Sequence, residues 1–98
     1  MEKGVDHEHV VYVLYSLSNR KTYVGESSDL CDRFKSHNEK GTRGWTISGR
    51  PWIVIHVEFF INRSIALKRE KQLKMGQGRQ WIKEKILNQP HIVGLISA

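Results

Sequence analysis

The chain has 98 residues, a formal net charge of +6 and a single cysteine, Cys31. That length supports one hydrophobic core and not two, so one domain over residues 1–98 is expected, with its core at about 10–87 and short tails. A lone cysteine excludes an internal disulfide and a cysteine-based zinc site, and no apolar stretch reaches the length of a membrane span.

The charge is unevenly placed. Residues 1–62 carry eight Lys/Arg against eight Asp/Glu, whereas residues 63–98 carry eight against two, so the surplus lies in the last third. A one-sided basic field favours a polyanion, nucleic acid first and an acidic membrane surface second, against the plainer reading of a solvated helix face. Cys31 reads as a small buried hydrophobe. The first nine residues lack the apolar core of a signal peptide, and a cytoplasmic protein is expected. His7 and His9 read as solvated residues of a frayed terminus.

In chain order, residues 10–16 form a β-branched and aromatic run and residues 21–26 a shorter one, with the polar Ser18-Asn19-Arg20-Lys21 between them, which predicts a β-hairpin. With Asn19 and Arg20 as a two-residue loop, Tyr12 falls opposite Ser27, Leu14 opposite Gly25 and Ser16 opposite Tyr23. Both phenols, Tyr12 and Tyr23, then share one face of the sheet, and a slip of one residue would separate them. Ser27-Ser28-Asp29 reads as a helix start, with serine as the N-cap and Asp29 in the first turn. A helix over about 29–38 brings Leu30, Arg33, Phe34 and His37 onto one stripe, aiming the arginine and the imidazole back toward the sheet.

Residues 39–51 hold three glycines and a proline and read as a loop. Within it Trp45, beside Arg43, is suited either to stack on bases or to cover the core. Residues 52–60 predict a third strand, with Ile53, Ile55, Val57 and Phe59 on one face and Val54, His56, Glu58 and Phe60 on the other. His56 and Glu58 are expected to face solvent or helix edges. Asn62 caps a second helix running to about Met75, with Ala66 and Leu73 turned inward. Glu70 falls on that inward stripe, where an unpaired charge is costly, so a cation should meet it: a neighbouring Lys or Arg such as Arg33, or a divalent metal ion. Gly76 and Gly78 are expected to end this helix, residues 79–87 to form a third with Trp81, Ile82 and Ile86 inward, and Pro90 to stop it.

At Val10-Val11-Tyr12, Tyr23-Val24-Gly25, Asp29-Leu30-Cys31-Asp32-Arg33-Phe34-Lys35-Ser36-His37-Asn38 and Ala66-Leu67-Lys68-Arg69-Glu70-Lys71-Gln72-Leu73-Lys74 the chain resembles the GIY-YIG nuclease family. It is most similar to small stand-alone bacterial members related to the nuclease module of the excision-repair incision subunit. The chain departs from the pattern where Val10-Val11 replaces Gly-Ile and Val24 replaces Ile, which bears on packing more than on chemistry.

The resemblance implies an α+β fold, a three-stranded antiparallel sheet flanked by about three helices, carrying a metal-dependent DNA endonuclease site for repair or recombination. By matched position, Glu70 would hold Mg²⁺ or Mn²⁺ and Arg33 would clamp the scissile phosphate. Tyr12 would be the general base, and Tyr23 and His37 would orient water or phosphate. Arg43, Trp45, Lys74 and Arg79 are the expected contacts to duplex or branched DNA. A phenol with an ordinary pKa of about 10 serves as a base only where cations lower it. Otherwise a metal-activated water or His37, whose type titrates near about 6.5, takes that part. A non-catalytic nucleic-acid-binding module and a protein-interaction domain for acidic partners are the rival readings.

Overall fold

The computed structural model describes residues 9–35, 38 and 48–97. In chain order these form strands β1 (His9–Ser16) and β2 (Thr22–Ser27), helix α1 (Leu30–Lys35), strand β3 (Trp52–Phe60), and helices α2 (Arg63–Lys74), α3 (Gly76–Lys85) and α4 (Pro90–Ser97). The three strands pair antiparallel in the order β2-β1-β3, giving the expected α+β architecture. Among the described residues no helix is long and apolar enough to cross a membrane.

β1 takes the centre because a strand covered on both faces needs apolar residues at odd and even positions alike. Every residue from Val10 to Ser16 is buried. One face of the sheet gathers Val10, Tyr12, Leu14 and Trp52 under Leu30 and Phe34 of α1. The other gathers Val11, Val13, Tyr15 and Ile55 against Ala66 and Leu73 of α2, Ile82 of α3 and Ile92 of α4. Ser16 is buried but satisfied: its hydroxyl donates to the Gly49 carbonyl at 2.5 Å and accepts from the Asn19 N–H at 2.9 Å.

The hairpin register differs from the expected one. Tyr12 pairs with Gly25, Leu14 with Tyr23 and Val10 with Ser27, so the loop spans residues 17–20. The Ser16 N–H donates to the Lys21 carbonyl at 2.8 Å, the Arg20 N–H donates to the Ser16 carbonyl at 2.8 Å, and Arg20 takes a φ of 58°. A four-residue loop turns the chain back through a left-handed residue, a requirement the polar composition of the segment does not reveal. Each partner moves by two residues, which leaves every side chain on its original face. Tyr12 and Tyr23 therefore do share a face.

β3 breaks its alternation. Val13 pairs with His56 but Leu14 with Val54, leaving Ile55 as the extra residue of a bulge. Ile53 and Ile55 share one face as expected, that of α2, whereas Val57 and Phe59 fall on the α1 face, and His56, Glu58 and Phe60 join Ile53 and Ile55 on the α2 face. At the start of β3, the Asn38 amide brackets Trp52, donating to its carbonyl at 2.9 Å and accepting from its N–H at 2.6 Å.

The helix ends show further differences. Asp29, not a serine, caps α1: its Oδ1 accepts from the Asp32 N–H at 3.0 Å, while Ser27 Oγ accepts from the Asp29 N–H at 2.9 Å. Cys31, one position round the helix from Leu30, is exposed rather than buried. His9 belongs to β1 and pairs with Glu26 at 3.2 Å rather than being free in solvent; His7 lies outside the described residues. Asn62 caps α2 as expected, with Oδ1 accepting from Ser64 and Ile65 N–H at 2.7 and 3.3 Å. Gly76 and Gly78 open α3 instead of ending α2. Pro90 opens the unforeseen α4, where its missing N–H and fixed φ suit the first turn.

Gly78 is required by a close approach. A Cβ there would lie 2.5 Å from Leu73 Cα and nearer still to the Gln72 carbonyl oxygen, whereas one at Gly76 would meet nothing within 4 Å. Gly78→Ala is expected to lower stability by about 1–3 kcal/mol through overpacking. Gly76→Ala should melt at or above the parent temperature. Thermal denaturation followed by circular dichroism checks both, and equal melting of the two variants would contradict the packing account.

Candidate active site

Tyr12 enters the site from the middle of the sheet. Its cross-strand partner is Gly25, and a Cβ at Gly25 would fall on the phenol, with Cζ only 2.5 Å away. The absent side chain is what lets the ring lie over β2. Tyr23, opposite Leu14 on the same face, sets its ring 6.3 Å from that of Tyr12 at 38°, and Trp52 meets Tyr23 edge-on at 6.2 Å.

Arg33 arrives from α1, whose Leu30 and Phe34 anchor the helix to this face. Its guanidinium lies close enough to the Tyr12 hydroxyl to favour ionisation of the phenol. Glu70 arrives from α2, one turn from the fully buried Ala66 and Leu73. Its side chain is 20% exposed and its carboxylate is close enough to Tyr12 to oppose ionisation of the phenol. The cation that meets it is not Arg33 but Lys74, one turn along the same helix, with Nζ 3.0 Å from Glu70 Oε2. That ammonium also lies 5.9 Å from the centre of the Tyr23 ring.

A brace behind α2 holds this arrangement. Arg69 donates to both Glu58 oxygens at 2.7 and 3.0 Å, and its guanidinium lies 4.8 Å over the Trp81 ring of α3. His56 shares Glu58 at 2.8 Å. Burial pushes the Glu58 carboxyl up, but the hydrogen bonds from Arg69 and His56 outweigh it and hold the group below its ordinary range. The hydrogen bond to Glu58 raises Arg69 in turn. His56 and Glu58 thus face the helix edges. Nothing in the spacing of Glu58 and Arg69 signals the pairing, because the bulge in β3 decides which face Glu58 takes.

Burial pushes the Tyr12 phenol up to about 12, the neighbouring Tyr23 adds to the rise, and Arg33 offsets only part of it. The direction is opposite to the one a general base needs. At neutral pH the site therefore presents a protonated phenol, a guanidinium, an ammonium and one carboxylate.

The structure brings Tyr12, Tyr23, Arg33 and Glu70 together and adds Lys74 to them. Arg79 of α3 lines a recess with Tyr23 and Lys74. His37, Arg43 and Trp45 lie outside the described residues. Among the described residues there is no group of three or more His, Cys, Asp or Glu side chains placed to share a metal ion, so Glu70 is the carboxylate available here.

The family model of the GIY-YIG catalytic domain matches residues 8–84. A UPF0213 protein of Bacillus velezensis is 35% identical over 82 residues, covering 81% of this chain and 82% of that protein. Another, from Haloquadratum walsbyi, is 33% identical over 66 residues, covering 67% and 73%. The fold is similar to the solution NMR structure of a UPF0213 protein from Bacillus halodurans, with a TM-score of 0.51 at 24% identity over 87% of this chain and 90% of that one.

The Tyr12 shift makes a stability prediction. A phenol raised to about 12 in the fold contributes stability that is complete below the unfolded pKa near 10 and is lost as pH rises through 12. Two pKa units correspond to roughly 2–3 kcal/mol. Denaturant midpoints of the parent protein are expected to fall across that window, and Tyr12→Phe to flatten the fall. Parallel profiles for the two proteins would remove Tyr12 as the cause.

Proposed function

Because the chain belongs to the GIY-YIG family, we propose that it is an endonuclease that hydrolyses DNA phosphodiester bonds with the help of Mg²⁺ or Mn²⁺. The observation that carries this reading is the meeting of β1, β2, α1 and α2 at one spot, each contributing one of Tyr12, Tyr23, Arg33 and Glu70.

The donor set suits a hard divalent cation. Mg²⁺ is commonly held by one or two carboxylates, with water and a substrate phosphate completing the shell. Glu70 offers such a carboxylate, largely shielded from solvent, and its present partner is a Lys74 side chain that is 50% exposed. An i, i+4 pair on a helix whose lysine end reaches solvent is worth only about 0.3–0.5 kcal/mol, so exchanging Lys74 for a metal ion costs little. Bound there, the ion would supply Lewis-acid stabilisation of phosphate charge and favour ionisation of groups beside it.

The remaining steps belong to the protein. Arg33, with its fork of donors, exchanges part of its contact with Tyr12 for the phosphate oxygens and stabilises the charge that builds on them. Lys74, released from Glu70, stays beside the same phosphate as a second cation. The Tyr12 phenol orients the attacking water by hydrogen bonding; to act as a base it must first release its own proton to solvent, which it does once added positive charge has brought it down from about 12, and the phenolate then takes the proton of the water. Tyr23 holds the other side of the phosphate. His37 is proposed to orient water or phosphate, on the strength of its place in the sequence stripe.

Glu70→Ala is expected to lower Mn²⁺-dependent nicking of supercoiled DNA by on the order of 100-fold or more, since one electrostatic group of this kind contributes several kcal/mol to the transition state. Its melting temperature should stay close to that of the parent. Undiminished cleavage by a purified, folded Glu70→Ala protein would refute the site.

A further inference from the structure

We infer that the outer edge of β2 and the facing side of α3 form a track for the nucleic-acid backbone leading away from the candidate site, a reading that rests on the proposed function. β2 is an edge strand, with β1 on its one paired side. Two shallow recesses adjoin along it and share Thr22, Arg79 and Ile82. The first, of about 250 Å³, includes Tyr23 and Lys74; the second, of about 440 Å³, includes Arg20, Lys21 and Lys83. The row of cations therefore begins at the residue that pairs with Glu70.

Arg63 and Arg69 are each matched to a carboxylate, as is Lys74 at the head of the row, whereas Arg20, Lys21, Arg79 and Lys83, like Lys68, Lys71 and Lys85, form no ion pair with the described residues; what sets the four apart is their place in two adjoining recesses that run on from Lys74. No carboxylate lines either recess among the described residues, and Glu84 of α3 is turned to Gln80 at 2.6 Å. An unneutralised row of this kind fits a chain of phosphates.

Arg20 adds an independent observation. It holds a φ of 58°, a left-handed conformation in which glycine or asparagine is less strained. Keeping a guanidinium there opposes folding, and such strain is retained where the side chain has another use. Basic residues on an open edge also discourage strand addition. That purpose does not account for Arg79 and Lys83, which belong to α3.

The test uses Glu70→Ala protein, so that cleavage does not interfere, with labelled single-stranded and duplex oligonucleotides titrated across a range of salt. Adding Arg20→Gly, Arg79→Ala and Lys83→Ala is expected to weaken binding on the order of 100-fold near ~0.1 M salt and to make the slope of log K against log salt shallower by about 2 for single strands and about 3 for duplex. Arg20→Gly alone should weaken binding while raising the melting temperature by about 4 °C, a split that a purely structural role would not produce. Unchanged affinity and slope for both oligonucleotides overturn the track. Wild-type nicking with an unchanged slope overturns the track alone. A shallower slope without any nicking upholds the track and removes the nuclease reading.

Discussion

The candidate site depends on one close approach, the Tyr12 ring laid across the bare backbone of Gly25. That contact takes the phenol off the centre of the sheet and toward the Arg33 guanidinium while keeping the residue fully buried. Any side chain at Gly25 would occupy the space of the phenol. A one-residue shift in pairing would be as damaging, because it would turn Tyr23 to the opposite face. The hairpin loop and the glycine therefore serve the same end: one sets the register, the other leaves room for the ring.

The irregularity in β3 has a comparable reach. Had the strand alternated without interruption from Ile53 and Ile55, Glu58 would lie on the α1 face. The bulge opposite Val13 and Leu14 instead puts Ile55 and His56 on the α2 face in succession, and Glu58 follows to meet Arg69. Arg69 adjoins Glu70 in α2 and leans on Trp81 of α3. A bidentate, partly buried pair of this kind fixes orientation more firmly than an exposed one. The brace at Arg69 thereby fixes the turn of α2 that also carries Glu70.

The site's electrostatics are those of a receptor waiting for negative charge. Arg33 and Lys74 outnumber Glu70, and the buried phenol resists ionisation. A phosphate answers the two cations, and a metal ion answers the carboxylate that Lys74 would release. The basic character continues past Tyr23 and Arg79 to the hairpin, so the C-terminal charge surplus is shared with residues from the first third of the chain.

What the amino-acid order determined by itself was local: two β-branched runs that pair, an asparagine that caps α2, the α2 face carrying Ala66 and Leu73, and Glu70 as an acid out of place on it. Each is encoded within a few residues, by side-chain shape, capping or helical period. The tertiary structure alone decided the four-residue loop with Arg20 left-handed, the β3 bulge, the opening of α4 at Pro90, and the exposure of Cys31. It also decided that Glu70 pairs with Lys74 and that Tyr12 is pushed up rather than down. Register, bulges and ionisation depend on which distant segments come to lie beside a residue, and burial opposes charge by an amount that no neighbour in the sequence reveals.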